Sequence, residues 1–213
     1  MLGIIRVLST QDESVLLEHG RLMNRTAAVD SRTRCIPDQP FGVHDEASAA
    51  RAVPKIVALA KSFEADERID AISISCAADP ALEQCREAVR LPVAGAGVCG
   101  AHAARMVSDS VAVLGISKTV PEGMKAALGP ALHSVHHHPK LRKATDLFGP
   151  QARQALLACA QQAQSDGATA VLFACTGFST IHLKPHFDAH LAIPSIDLVQ
   201  AQAIAYNLLR NKG

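Results

Sequence analysis

The sequence predicts an α/β protein with two pseudo-symmetric lobes, each built on a mostly parallel sheet flanked by helices. Short runs rich in valine and isoleucine alternate with longer alanine-rich stretches, which indicates βαβ units. The strand-like runs are continuously apolar, as expected of parallel strands that are covered on both faces. The two halves of the chain also follow the same order of elements. These observations favour a duplicated fold with a site between the lobes.

Four strands and four helices are predicted in the first half of the chain. The strands cover residues 4–8, 33–36, 71–75 and 92–94. The helices cover residues 12–23, 45–63, 80–89 and about 98–106. Asp12 suits the N-cap of the first helix, and Pro80 suits the first turn of the third. Because proline lacks the N–H that a helix interior needs, Pro54 should kink or split the second helix.

The second half repeats this order. Its predicted strands cover residues 111–115, 132–136, 170–174 and 193–196. Its predicted helices cover residues 121–128, 151–165 and 198–209. We expect the final helix to pack back on the first lobe. The predicted lobes are therefore residues 1–94 plus 197–213, which carry Cys76, and residues 95–196, which carry Cys175.

An internal duplication relates the two halves. The segment Ile69–Cys76 corresponds to Ala168–Cys175, with an offset of 99 residues between the two cysteines. Each unit then leads to a short strand that is entered through a proline, Pro92 in the first half and Pro194 in the second. The duplication predicts that equivalent strand ends of the two lobes face each other.

Composition excludes several classes of protein. The 213 residues include 21 Lys+Arg and 20 Asp+Glu, and this net charge of +1 gives no reason to expect binding to nucleic acid or to a membrane surface. Aromatic residues make up 3%, too few for base-stacking platforms, whereas 48% hydrophobic residues suffice for a core. No apolar run approaches the ~18–20 residues of a membrane span, and no secretory pattern opens the chain. We therefore expect a cytoplasmic protein.

Two of the six cysteines stand out. Cys76 and Cys175 each end an apolar strand and begin a loop that leads into a helix. In open parallel sheets, ligands bind at the carboxyl ends of strands, and N–H groups at a helix start favour a thiolate. The other cysteines have no matched partner across the duplication, form no Cys-x-x-Cys pair and are predicted to be reduced core residues: Cys35, Cys85, Cys99 and Cys159.

Two opposed thiols suit the inversion of a stereocentre next to a carbonyl group. A thiolate on one face of the carbon removes the α-proton, while a thiol on the other face delivers a proton. N–H donors near the carbonyl oxygen stabilise the enolate that forms between the two steps. For the mirror-image substrate the two sulfurs exchange roles. This reaction requires no metal and no organic cofactor.

Four segments connect the chain with a known family. Ser75–Leu82 has a cysteine followed by Asp-Pro-x-Leu, and Ala174–Phe178 contains Cys-Thr-Gly. Val43–Ala47 contains Asp-Glu-Ala, and Leu91–Gly97 contains Pro-Val-x-Gly-x-Gly. These segments resemble the aspartate/glutamate racemase superfamily, most closely its hydantoin racemase-like branch, and the resemblance spans most of the chain. It implies two flavodoxin-like lobes with a site between them, a cofactor-independent mechanism and a homo-oligomer.

The chain departs from that branch at three places. Leu8-Ser9-Thr10 stands where the branch usually has Asn-Pro-Asn-Thr after the first strand. Val98 replaces a glutamate that commonly follows Gly-x-Gly, and Cys175 is followed by Thr-Gly. Since none of these changes removes a cysteine, they bear on the substrate more than on the two-thiol chemistry.

The loops beside the cysteines supply the predicted substrate-binding residues. One hydroxyl pair follows the first strand of each half, and both pairs could line the cleft or simply cap helices. Backbone N–H groups next to each cysteine could bind a carbonyl oxygen. The predicted substrate-binding residues are Ser9, Thr10, Ala77, Ala78, Ser117, Thr119, Thr176 and Gly177.

Other conspicuous motifs receive a structural interpretation. His136-His137-His138 looks like a metal site, but adjacent residues on a strand point to opposite faces and the spacing provides no third ligand. Gly95-x-Gly97 lacks the third glycine and the acidic residue of a dinucleotide fingerprint. Two histidines could lie near the cleft and a third lies in a helix, and we expect all three to be structural or exposed: His44, His182 and His102.

The sequence thus predicts a cofactor-independent racemase or epimerase, with Cys76 and Cys175 as its acid–base catalysts. The expected substrate is a small amino-acid derivative or hydantoin-like compound, that is, a carboxylate or a cyclic amide. One alternative is a related isomerase or decarboxylase that uses one of these cysteines. Another is a non-catalytic protein that binds a small molecule on the same fold.

Overall fold

The computed structural model describes residues 1–209, which form two four-stranded parallel sheets. The first sheet has the spatial order β2-β1-β3-β4, with β1 (Leu2–Arg6), β2 (Ser31–Cys35), β3 (Ala71–Ser75) and β4 (Val93–Gly95). The second sheet has the spatial order β6-β5-β7-β8, with β5 (Val111–Gly115), β6 (Leu132–His137), β7 (Ala170–Phe173) and β8 (Ser195–Ile196).

Helices connect the strands and cover both sheets. Those of the first half are α1 (Glu13–Ala27), α2 (Glu46–Glu64), α3 (Leu82–Ala88) and α4 (Ala96–Arg105). Those that follow are α5 (Glu122–Leu128), α6 (Ala152–Ser165), α7 (Gly177–Thr180), α8 (Leu183–Asp188) and α9 (Leu198–Leu209). Two short 3-10 turns lie at Gly129–Ala131 and Ala144–Phe148. Within residues 1–209, no helix combines the length and apolarity needed to cross a bilayer.

The two sheets repeat one topology. In the first, β1 pairs in parallel with β3, and Leu2 lies opposite Ala71. In the second, β5 pairs in the same way with β7, and Val111 lies opposite Ala170. The central strands β1, β3, β5 and β7 are buried along their whole length, as parallel strands between two helical layers should be. The predicted α/β fold with two similar parallel-sheet lobes is confirmed.

One of the two outcomes expected at Pro54, a split helix, does not occur, and the third helix begins later than predicted. Pro54 does not split the predicted helix, because α2 continues through it with Ala52 and Ile56 completely buried on either side. Packing of this apolar face outweighs the one backbone hydrogen bond that proline removes. The third helix begins at Leu82 rather than Pro80, because Asp79 and Ala81 adopt positive φ angles of 48° and 61°. This turn points the carboxylate of Asp79 at the start of α4.

Helix α9 packs on the first sheet. Its residues Val199, Ala203 and Tyr206 share a buried cluster with Leu2 and Ile4 of β1. The Tyr206 hydroxyl also donates a hydrogen bond to Asp70, which precedes β3, at 2.7 Å. The expected return of the final helix to the first lobe agrees with these contacts. The last part of the predicted lobe, residues 210–213, lies outside the described residues.

Candidate active site

A cavity of about 350 Å³ lies between the two sheets, at the carboxyl ends of their strands. The loops that follow β1, β3, β5 and β7 form most of its wall, and the start of α2 and the turn at Ala144–Phe148 complete it. This volume lies in the range of about 300–1,000 Å³ that is typical of small-molecule sites. Because both Cys76 and Cys175 line this cavity, the structure brings together the two cysteines that the sequence singled out.

Cys76 follows the last residue of β3 and is 7% exposed. Its sulfur accepts a hydrogen bond from the backbone N–H of Ala78, which favours the thiolate. Burial acts more strongly in the opposite direction, and Asp79 and Cys175 add nearby negative charge. Together these effects raise the pKa of Cys76 to about 12.

Cys175 occupies the matching place after β7 and is 9% exposed. Burial raises the pKa of this thiol as well, to about 11. Three groups oppose burial: the backbone N–H groups of Gly177 and Phe178 donate to the sulfur, and the Arg6 guanidinium supplies positive charge. These three groups favour the Cys175 thiolate more than the single N–H donor favours the Cys76 thiolate.

Six of the eight predicted substrate-binding residues line the cavity. Ala77 and Ala78 lie beside Cys76, and Thr176 and Gly177 lie beside Cys175. The hydroxyls of Ser117 and Thr119 are paired at 2.9 Å in the exposed loop after β5. The correspondence between halves thus placed one of the two hydroxyl pairs at the cleft.

Ser9 and Thr10 do not line this cavity, contrary to their predicted placement. The Ser9 hydroxyl donates to the carbonyl of Ile36 and accepts from the N–H of Gln39, which ties the loop after β1 to the chain that follows β2. Thr10 accepts a hydrogen bond from the N–H of Asp12 at the start of α1. Both residues line a smaller adjacent pocket instead.

The cavity also contains charged residues that were not among the predicted site residues. Arg6 lines one side, and burial lowers its pKa to about 10, which leaves it cationic at neutral pH. The sequence did contain a signal for Arg6, because it is the one charged residue of an otherwise apolar strand. His44, Asp45 and Glu46 line another part of the wall. They lie in the Asp-Glu-Ala segment that carried part of the family resemblance, and His44 was expected near the cleft.

Gly177 packs closely against Leu147 and the Cys175 sulfur. A Cβ atom at this position would lie 2.7 Å from Leu147 Cδ1 and 3.3 Å from the Cys175 sulfur. The first of these distances is too short for a real contact. Glycine fits here without displacing the Leu147 side chain, and the Gly177 N–H donates to the Cys175 sulfur.

The Gly95-x-Gly97 segment serves Asp79. The Asp79 carboxylate accepts hydrogen bonds from the N–H groups of Gly97 at 2.9 Å and Val98 at 2.8 Å, at the start of α4. A Cβ atom on Gly97 would lie 2.1 Å from the Ala77 carbonyl oxygen, so this close approach requires glycine. The two glycines therefore seat the loop that carries Cys76 against α4.

The remaining conspicuous residues lie elsewhere. His182 is 53% exposed at the side chain and lies 3.6 Å from Glu18, outside the cavity lining. Cys85 is completely buried, whereas Cys35, Cys99 and Cys159 are half-buried, and all six cysteines are free thiols. The part of the chain that the structure describes contains no group of three or more His, Cys, Asp or Glu side chains arranged to hold a metal ion.

Solved structures with the same fold include several racemases. The chain has a TM-score of 0.83 and 17% identity to allantoin racemase from Pseudomonas fluorescens, over 98% of this chain and 90% of that one. Allantoin racemase from Klebsiella pneumoniae gives a TM-score of 0.77 and 20% identity, over 98% of this chain and 86% of that one. A liganded mutant of arylmalonate decarboxylase gives a TM-score of 0.74 and 13% identity, over 100% of this chain and 93% of that one. At these identities the likeness establishes the fold alone.

A family model provides the assignment. A comparison with curated protein sequences gave no significant match. The model described as Asp/Glu/Hydantoin racemase matches residues 23–205, which include both cysteines and most of the cavity wall. This match supports an enzyme of the racemase type. The chain belongs to the Asp/Glu/hydantoin racemase family.

Proposed function

We propose that the protein is a racemase or epimerase that moves a proton at the α-carbon of a small amino-acid derivative or hydantoin-like compound. Cys76 and Cys175 are the two acid–base groups of this proposal. One observation carries it: two cysteines at matching strand ends of a duplicated fold open into the same small cavity. A cysteine that only fills space in the core would need no second cysteine in the same cavity.

The proposed reaction uses one thiolate and one thiol. The thiolate takes the α-proton and becomes a thiol, while the electron pair of the C–H bond moves onto the carbonyl oxygen as an enolate. The opposite thiol then protonates the carbon from its other face and becomes the thiolate. The substrate leaves inverted, and the two cysteines have exchanged protonation states, so protons and charge balance.

The surroundings of the sulfurs are consistent with this chemistry. High thiol pKa values make strong bases, which suits the removal of a weakly acidic C–H proton. The N–H donors and Arg6 near Cys175 partly offset the effect of burial, so this site favours the thiolate more than Cys76 does. Ser117 and Thr119, whose hydroxyls are paired with each other in an exposed loop, can exchange that hydrogen bond for one to a polar group of the substrate.

Proton exchange in heavy water tests the proposal. Enantiopure amino acids, N-carbamoyl amino acids and hydantoins are incubated with the protein, and both deuterium uptake and optical rotation are followed. Cys76→Ser and Cys175→Ser should each reduce racemisation in both directions by at least about 100-fold, because each direction needs both groups. Cys159→Ser, on α6 and away from the cavity, is the matched control and should retain activity. Full turnover in either active-site variant would refute the two-thiol mechanism.

A decarboxylase is the second candidate. The observation that favours it is the arylmalonate decarboxylase fold, which this chain shares over its whole length. In this reading one cysteine protonates the carbanion left after carbon dioxide departs, and the other is dispensable. Release of carbon dioxide from malonate derivatives, with only one of the two serine variants inactive, would favour the decarboxylase. Ligand binding without turnover or exchange would favour a binding protein instead.

A further inference from the structure

A completely buried histidine connects the two lobes directly behind the cysteines. His19 of α1 has no exposed surface. Its Nδ1 atom lies 2.7 Å from the hydroxyl of Ser75, the last residue of β3 and the neighbour of Cys76. Its Nε2 atom lies 3.0 Å from the hydroxyl of Thr180, at the end of the short helix α7 that follows Cys175. One imidazole ring thus joins the chain segments that carry the two sulfurs.

Hydrogen bonds from Thr176 and Arg6 reinforce this connection. The Thr176 hydroxyl, next to Cys175, donates to the backbone carbonyl of Ser75 at 3.2 Å. The Arg6 guanidinium donates to the Thr180 hydroxyl at 3.4 Å and to the carbonyls of Val15 and Leu16 in α1. Ser75 is therefore held to the second lobe through both its side chain and its backbone. Such bonds in a buried environment fix geometry strongly, because each unmade bond leaves a desolvated polar group.

The ring acts as a fixed spacer rather than as an acid or base. Burial, together with the nearby Arg6 cation, lowers the pKa of His19 well below its ordinary value, so the ring is neutral. A neutral imidazole has one N–H donor and one acceptor nitrogen. The backbone of Thr176 also accepts a hydrogen bond from the ring, and the two hydroxyl partners can each donate or accept. His19 also does not line the cavity and cannot touch a substrate there.

We propose that His19 is a positioning residue that sets the separation and alignment of the Cys76 and Cys175 sulfurs through Ser75 and Thr180. This inference rests on the proposed two-thiol function. Inversion needs both sulfurs to reach one carbon from opposite faces, and a displacement of about 1 Å at a reacting group can cost on the order of 100-fold in rate. Proton removal from one face needs only one sulfur in place.

The test compares inversion with exchange. In heavy water, inversion places deuterium in the opposite enantiomer. If the first thiol exchanges its proton with the solvent and returns a deuteron to the same face, deuterium enters the starting enantiomer without inversion. His19→Leu should lower kcat for racemisation about 10- to 100-fold and leave KM nearly unchanged. The ratio of deuterium-labelled starting enantiomer to inverted product should rise. His19→Gln, whose amide can both donate and accept, should restore part of the rate.

Two further variants keep the outcome clear. Thr180→Val breaks the same connection at its other end and should raise the same ratio. It provides the test if His19→Leu fails to fold. Tyr206→Phe removes a hydrogen bond to Asp70 far from the cavity, and it controls for a general loss of stability. A folded His19→Leu protein with the wild-type ratio would overturn the inference.

A structural readout separates this inference from the proposed function. If the wild-type protein inverts no compound of the panel, the proposed function fails, and crystal structures of wild type and His19→Leu then decide the role of His19. We expect the distance between the two sulfurs to change by at least about 0.5 Å, the tolerance of a productive site. An unchanged distance would eliminate the positioning role regardless of substrate.

Discussion

At the scale of single residues, opposing influences act on the two thiols. Burial dominates and raises the pKa of both Cys76 and Cys175. Cys175 receives two N–H donors and lies near Arg6, whereas Cys76 receives one N–H donor and lies near the negative charge of Asp79. The surroundings of Cys175 therefore favour its thiolate more than the surroundings of Cys76 favour the other.

This difference predicts a rising pH profile. Because the pKa of Cys175 is about 11, its thiolate fraction and therefore kcat/KM should increase about tenfold per pH unit between about pH 7 and 9. Alkylation by iodoacetamide, followed by mass spectrometry, measures the same titration without a substrate. Cys175 should react faster than Cys76 when both are compared in one sample. A rate already at its plateau near neutral pH would contradict this prediction.

At the scale of elements, the turn between β3 and α3 determines where Cys76 lies. The backbone of Asp79 has a positive φ angle, and its carboxylate accepts hydrogen bonds from two N–H groups at the start of α4. Gly97 allows the two segments to touch. Burial raises the pKa of the Asp79 carboxyl to about 6, although the N–H groups at the start of α4 and the charge of Arg86 favour the carboxylate.

The raised pKa makes stability depend on pH in a defined direction. Between the ordinary value of 3.8 and about 6, the unfolded chain loses the Asp79 proton while the folded chain keeps it. Asp79 therefore lowers the free energy of unfolding as pH rises through this window, by about 2–3 kcal/mol in total. In urea titrations at several pH values, wild type should lose this amount relative to Asp79→Asn between about pH 4 and 7. Equal slopes for wild type and Asp79→Asn would exclude this account.

At the scale of the whole molecule, α4 and α9 join the lobes. Gly100 of α4 packs so closely that a Cβ atom would lie 2.1 Å from Leu198 Cδ2 of α9 and 3.2 Å from Leu172 Cδ1 of β7. This one glycine therefore faces both the final helix, which packs on the first sheet, and a central strand of the second sheet. Leu172 and Leu198 belong to one buried cluster with Ala101 and Ala104 of α4, so the two sheets and these helices share this part of the core.

Gly100→Ala should accordingly destabilise the protein. Overpacking of a buried contact costs about 1–3 kcal/mol, which exceeds the gain of up to about 1 kcal/mol from replacing a helical glycine by alanine. Gly123→Ala in α5 is the matched control, since its Cβ would meet only Val98 Cγ2 at 3.4 Å. We expect urea unfolding to show a loss for Gly100→Ala and no loss for Gly123→Ala. A stabilised Gly100→Ala protein would show that the Leu198 side chain turns aside at little cost and that this contact does not require glycine.

The sequence by itself determined the two-lobe α/β architecture and the two cysteines, because apolar periodicity and an internal repeat are local properties of the chain. Strand 111–115 and helix 198–209 were predicted at their observed bounds for this reason. The tertiary structure alone decided that Ser9 and Thr10 lie outside the cavity, that α2 continues through Pro54, and that Arg6 and His19 lie beside the site. Those outcomes depend on hydrogen bonds and packing between residues far apart in sequence. His19 and Thr180 are 161 positions apart, and no local pattern encodes their contact.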